Sequence, residues 1–172
     1  MKQTFIIEYL ESKLWPWCVI EYKHMSKIVG KENLLFTNIK RVDFNKLKNY
    51  GTVSDKSVKQ LKLQNACVLD PEAKDILSPK DAKQFSYFIF GGILGDHPPR
   101  KRTKVELTKF IKSYSVRNIG KDQFSTDNAV YVVKQICKGI DFNDIPFILE
   151  PEIRINKIES TILPYKYPLV KG

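Results

Sequence analysis

Cysteine and histidine are scarce in this chain of 172 residues, which holds three of the first and two of the second. Cys18, Cys67 and Cys137 lie far apart and form no Cys-x-x-Cys pair, so neither a zinc knuckle nor a dithiol redox centre is encoded. With only His24 and His97 to join them, a metal site would have to gather ligands from distant segments, and no metal is expected. The thiols read instead as small buried apolar groups. Long apolar runs are also missing. The stretch FSYFIFGGILG falls well short of the roughly 20 residues a membrane span needs. The amino-terminal MKQTFIIEYLESK carries carboxylates inside its short apolar run, unlike a signal peptide. A cytoplasmic protein with no membrane partner is expected. Neither G-x-x-x-x-G-K-[ST] nor G-x-G-x-x-G occurs, which removes the usual triphosphate and nicotinamide loops.

Acid is the scarcer charge. Against 29 Lys and Arg there are 19 Asp and Glu, a formal net charge of +10. Between Arg100 and Lys121 the only acid is Glu106, and a second basic stretch runs from Lys40 to Lys62. Such stretches serve either as solvated lysine-rich surface or as a face for nucleic acid or the ribosome.

What is present is an ordinary globular balance, 42% hydrophobic and 28% charged, long enough for one domain with a single core. Thr4 to Ile7, Leu34 to Thr37, Ala66 to Leu69, Phe85 to Phe90 and Tyr114 to Ile119 are rich in β-branched and aromatic residues and predict strands. Runs such as FSYFIF are apolar throughout, as in strands covered on both faces, and the spacings leave room for crossover helices. The expectation is an α/β fold with a mostly parallel sheet. Helical spacing of Val19, Tyr22, Met25 and Val29 predicts a helix from Pro16 that Gly30 ends. A second helix is capped by Ser125 or Thr126, with Asp127 at its positive end and Ala129, Val130, Val133, Ile136, Cys137 and Ile140 as its buried stripe. Shorter helical segments are expected after Arg41, around Ser57 to Leu61 and over Thr103 to Lys112. From residue 141 to 172 apolar residues alternate with polar ones between prolines, which predicts an extended arm of edge strands. Trp15 and Trp17 flank Pro16 and read as core packing at a helix start, with stacking on a base or substrate as the alternative.

In open parallel sheets ligands sit beyond the carboxyl ends of the strands. The segments there are VLDPEAK, GGILGDHPPR and RNIGKDQFSTDNAV. Gly91, Gly92 and Gly95 permit close approach of another backbone or a flat ring, and Pro98 and Pro99 stiffen the exit. His97 before these prolines fixes the turn or moves a proton, while Arg100 and Arg117 are candidate forks for a carboxylate or phosphate.

The ordered pair FGGILGDHPPR and RNIGKDQFSTDNAV, with the early IIEYLE, the segment EYKH and the tail segment IPFILEPEI, resembles the SPOUT-class methyltransferases. Within them it is similar to the branch of the fungal ribosomal-protein arginine methyltransferase and its archaeal relatives, over nearly the whole chain. Lys101 stands where an acid is expected in that branch, and Phe124 where Met is common. The resemblance implies a carboxyl-terminal trefoil knot, which general connection rules would not suggest. It implies an S-adenosylmethionine pocket of Leu69, Asp70 and Pro71, then Gly91, Gly92, Leu94 and Gly95, then Asn118, Ile119, Gly120, Gln123, Phe124, Ser125 and Thr126. The acceptor it implies is an arginine of a ribosomal protein, and the branch implies a monomer, although most of the class are homodimers. Ribosomal or transfer RNA as the acceptor, and a noncatalytic RNA-binding role, are the alternatives. A guanidinium nucleophile needs carboxylates to orient it and to accept a proton. Asp96, Glu8 and Glu21, near the strand ends and on the first helix, are the candidates.

Overall fold

The computed structural model describes residues 2–93 and 101–170. Six parallel strands form its central sheet in the order β3-β2-β1-β5-β4-β6. They are β1 (Thr4–Tyr9), β2 (Leu34–Thr37), β3 (Thr52–Val53), β4 (Ala66–Leu69), β5 (Tyr87–Gly92) and β6 (Ser115–Arg117). β3 is an edge strand of two residues, too short to show a sequence pattern. The register sets Ile7 between Phe36 of β2 and Phe90 of β5. Side chains alternate across the sheet as the pleat requires. Phe5, Ile7, Tyr9, Phe36, Cys67, Leu69, Phe88 and Phe90 enter the larger core, and Ile6, Ala66, Val68 and Ile89 the smaller one on the other face.

Over the larger core lie α1 (Pro16–Val29) and α5 (Thr126–Cys137), packed against each other. Pro16 starts α1, whose missing amide donor is harmless there, and Gly30 follows its end. Its buried residues Cys18, Tyr22, Met25 and Val29 fall on one stripe, with the Tyr22 ring stacked 4.8 Å from that of Phe36. Val130, Val132, Val133 and Ile136 form the buried side of α5. Two one-turn helices, α2 (Phe44–Leu47) and α3 (Pro79–Ala82), complete this layer. The opposite face is closed by a short 3₁₀ turn at Val58–Gln60, by α4 (Arg102–Glu106) and by a 3₁₀ turn at Thr108–Phe110. Those segments and the residues flanking them insert Val58, Leu63, Leu107, Ile111 and Tyr114 into the smaller core.

After α5 the chain forms two antiparallel pairs, β7 (Phe147–Leu149) with β10 (Lys166–Pro168) and β8 (Glu152–Arg154) with β9 (Ser160–Ile162). No helix among the described residues is long and apolar enough to cross a membrane.

Three expectations need correction. The helix α5 stops at Cys137, and Ile140 beyond it is 39% exposed because Gly139 has already turned the chain at φ 100°. Gly91 and Gly92 end β5 rather than forming a loop. Trp15 and Trp17 are not core residues, at 38% and 62% exposed, because the buried stripe of α1 begins at Cys18.

Candidate functional site

A cavity of about 500 Å³ opens where the carboxyl ends of β4, β5 and β6 meet the start of α5. That volume is within the range of small-molecule sites. Its walls are largely apolar, with Leu69, Phe90, Ile93, Ile119, Phe124 and Ala129 among them. Asp70, Pro71, Gly91, Gly120, Gln123, Ser125 and Thr126 also line it. Of the residues named from sequence as cofactor-binding, Asn118 and Gly92 stand outside the wall. Leu94 and Gly95, together with Asp96, His97, Pro98, Pro99 and Arg100, lie outside the described residues.

Asn118, buried at the end of β6, holds two of the wall turns in place. Its Nδ2 donates to the Ala73 carbonyl at 3.0 Å, and its Oδ1 accepts from the Gly120 amide at 2.9 Å. Its backbone completes the clasp by accepting from Leu77 and donating to Asp75, each at 2.9 Å. Asp70 is also buried and pinned, accepting from the Glu72 amide at 2.9 Å and from Thr108 Oγ1 at 2.7 Å. Gly120 has φ 89°, and a Cβ there would lie 2.8 Å from Cζ of Phe142. The glycine therefore admits an aromatic ring behind the wall. Gly92 has a similar reason: a Cβ would stand 2.9 Å from Tyr22 Oη and 3.0 Å from the Glu8 carbonyl. Its smallness serves the contact of β5 with α1 and β1.

The three carboxylates proposed from sequence part company. Glu8 is fully buried and faces away from the cavity. It accepts from Thr37 Oγ1 at 2.5 Å, from Ser57 Oγ and from the Val58 amide at 2.9 Å. Each oxygen thus has a donor, and the carboxylate pins the 3₁₀ turn at Val58–Gln60 to β1 and β2. Glu21 projects from α1 into the cavity wall, where Trp17 Nε1 donates to its Oε1 at 2.9 Å. Burial lifts its carboxyl to about 7, and the negative charge of Asp127 pushes the same way, against the Trp17 hydrogen bond and His24. Asp127 at the start of α5 accepts from Ser125 Oγ at 2.6 Å and lies 2.7 Å from His24 Nδ1. The phenol of Tyr167 on β10 belongs to the same group, its pKa raised by burial and then by Tyr165, Asp127 and Glu21.

Sequence reasoning missed Trp17 and Tyr165 as wall residues. Trp17 carried a signal, since it stands four residues before Glu21 on one helix face. Tyr165 carried none: it arrives because Lys166 reaches back, its amide donating to the Gln123 carbonyl at 2.9 Å and its Nζ meeting Asp122 at 2.8 Å. The Lys166 ammonium also sits over the rings of Phe142 and Phe147, at 5.4 and 4.7 Å. Arg117 is not a cofactor fork in this arrangement, because its guanidinium is spent on both oxygens of Asp81. Arg102 bridges Glu11 at 2.7 Å and Glu106 at 2.6 Å, and Lys101 pairs with Glu72 at 2.9 Å.

A family model described as protein arginine N-methyltransferase SFM1-like matches residues 4–172. Protein arginine N-methyltransferase SFM1 of Saccharomyces cerevisiae is 39% identical over 184 residues, covering 97% of this chain and 86% of the relative. The crystal structure of the yeast arginine methyltransferase SFM1 complexed with SAH superposes with a TM-score of 0.90 at 38% identity, over 98% of this chain and 87% of that one. The same enzyme complexed with SAM gives 0.90 at 38%, over 99% and 84%. Dual-specific Trm10 from Thermococcus kodakaraensis shares the fold alone, with a TM-score of 0.68 at 16% identity over 83% of this chain and 96% of that one.

Proposed function

Since the chain belongs to the SFM1-like protein arginine N-methyltransferase family, we propose that it transfers a methyl group from S-adenosylmethionine to an arginine side chain of a ribosomal protein in the cytoplasm. The observation that carries the reading is the cavity of about 500 Å³ at the carboxyl ends of β4, β5 and β6, with the Glu21 carboxylate in its wall and held by Trp17 at 2.9 Å.

The cavity suits the cofactor in volume and in chemistry. Apolar side chains from Leu69, Phe90, Ile119 and Phe124 offer surfaces for a purine, and the turns at Pro71 and Gly120 and the end of β5 at Gly91 offer main-chain groups. Gln123, Ser125 and Thr126 supply polar atoms for ribose or the amino acid portion. The cofactor supplies a methyl group already activated on a sulfonium. What is left to the protein is orientation, exclusion of water and removal of one proton. Glu21 receives the guanidinium, fixes the nucleophilic nitrogen and takes the proton that nitrogen sheds at its carboxylate oxygen. A base with pKa near 7 is matched to that task at neutral pH. Trp17 holds the carboxylate by its indole N–H and presents an aromatic face to the cation. Asp96 remains a second candidate from sequence, outside the described residues. Glu8 reads as a structural carboxylate.

Net charge of +10 suits an acceptor embedded in ribosomal RNA, because a basic protein is attracted to that polyanionic setting. A monomer is the functional unit in this reading, as the resemblance to this branch implies. Tritiated methyl transfer into ribosomal extract, followed by separate nuclease and protease treatment, tests it. Label that survives nuclease, is released by protease and chromatographs as N-methylarginine is expected. Nuclease-sensitive label would move the acceptor to RNA.

A further inference from the structure

On the sheet face opposite α1, two segments without a single acid meet. Residues 56–65 carry Lys56, Lys59 and Lys62, and residues 107–117 carry Lys109, Lys112 and Arg117. The fold stitches them together. Tyr114 Oη donates to the Leu61 carbonyl at 2.6 Å and accepts from the Leu63 amide at 3.2 Å. Val58, Leu63, Leu107 and Ile111 pack beneath them in the smaller core. Where the two 3₁₀ turns abut, Lys59 Nζ stands 4.1 Å from the centre of the Phe110 ring, and Phe110 is still 61% exposed.

Arg117 is neutralised by Asp81. Lys59, Lys62, Lys109 and Lys112 are exposed, and among the described residues none of them pairs with a carboxylate. Some cations elsewhere do find acids, as Arg41, Lys46, Lys101, Arg102 and Lys166 show, so what sets this face apart is the grouping of its lysines about an exposed ring and the lack of any acid in its two segments. An exposed aromatic ring with one lysine against it, on segments that carry further unneutralised lysines, combines the two elements that bind single-stranded nucleic acid, a charge track for the backbone and a platform for a base. An acidic protein would be drawn to the charge but has no use for the ring.

We infer that this face, built on Lys59, Lys62, Lys109, Lys112 and Phe110, is a docking surface for single-stranded RNA. It is separate from the methyl-transfer cavity and does not depend on that assignment. It is also joined to the cavity by structure: Thr108, at the start of the second turn, donates to Asp70 in the cavity wall. RNA held here would bring a ribonucleoprotein to the molecule, and in the function proposed above the cavity then modifies its protein.

Fluorescence anisotropy with a labelled oligouridylate tests this on the full chain. Four lysine–phosphate contacts give a slope of log K against log salt of about −3 for single strands, and K59E/K109E should lower it to about half. That variant should weaken binding at least tenfold. Phe110→Ala should weaken the oligouridylate about fivefold and leave a duplex of equal charge unaffected, as loss of one stacked base requires. Wild-type affinity in both variants, with S-adenosylhomocysteine binding intact to show they are folded, overturns the proposal. So does equal binding of a polyglutamate peptide, which would give the face to an acidic protein.

Discussion

Between pH 4.5 and 7 the native state keeps a proton on Glu21 that the unfolded chain has already released. The native form then binds more protons than the unfolded one, so stability falls as pH rises through that window. Glu21→Gln removes this penalty while leaving an oxygen to accept from Trp17. Its melting temperature should exceed wild type by about 3 °C at pH 8, the shift that roughly 1 kcal/mol produces in a chain of this size, with the difference vanishing near pH 4. Catalysis carries the opposite sign, because the base must be ionised. kcat/KM of the wild-type protein should climb with pH and level off above about 7, whereas the variant should be at least 100-fold slower with no such rise. A Glu21→Gln protein with the wild-type pH profile would remove Glu21 from proton transfer.

Glu8 illustrates what is decided between elements rather than within them. From sequence it stands at the end of the first strand, where catalytic carboxylates assemble, and nothing local separates it from Glu21. The structure distinguishes them by what crosses over: Thr37 from β2 and Ser57 with Val58 from the loop beyond β3 turn their donors onto Glu8 and seal it. Glu8→Ala would leave the buried Val58 amide and the Ser57 hydroxyl without an acceptor, at a cost of about 3 kcal/mol. Urea titration should read that loss while kcat of the folded protein stays within twofold of wild type. The reverse pattern, normal stability with collapsed kcat, would return Glu8 to the chemistry. Helices α1 and α5 were legible because their buried stripes follow a 3.6-residue period, which depends on nearby residues alone. The edge strand β3 was not, since two residues carry no period.

Over the whole molecule, the parallel sheet and the location of the cavity could be read from apolar runs and from the composition of the strand ends. The exposed position of Trp17 and the arrival of Tyr165 could not, because both depend on how distant segments come together. The cavity walls join apolar side chains and main-chain turns to charged groups such as Glu21, Lys101 and Arg102, and binding there should couple to global stability. S-adenosylhomocysteine at about 100 times its Kd should stabilise the protein by about 2.7 kcal/mol. That is a rise of about 5–10 °C by differential scanning fluorimetry. An unchanged melting temperature at millimolar ligand would leave the cavity without its cofactor.

Lys166 ties the tail to the turn at Gln123 and thereby places Tyr165 beside the helix that bears Glu21. In the order of synthesis, then, the pocket's last panel is fitted only after the sheet and both long helices have emerged. A nascent chain halted before residue 165 holds most of its core yet has an unfinished pocket, so translation itself delays the moment at which the enzyme can begin to work.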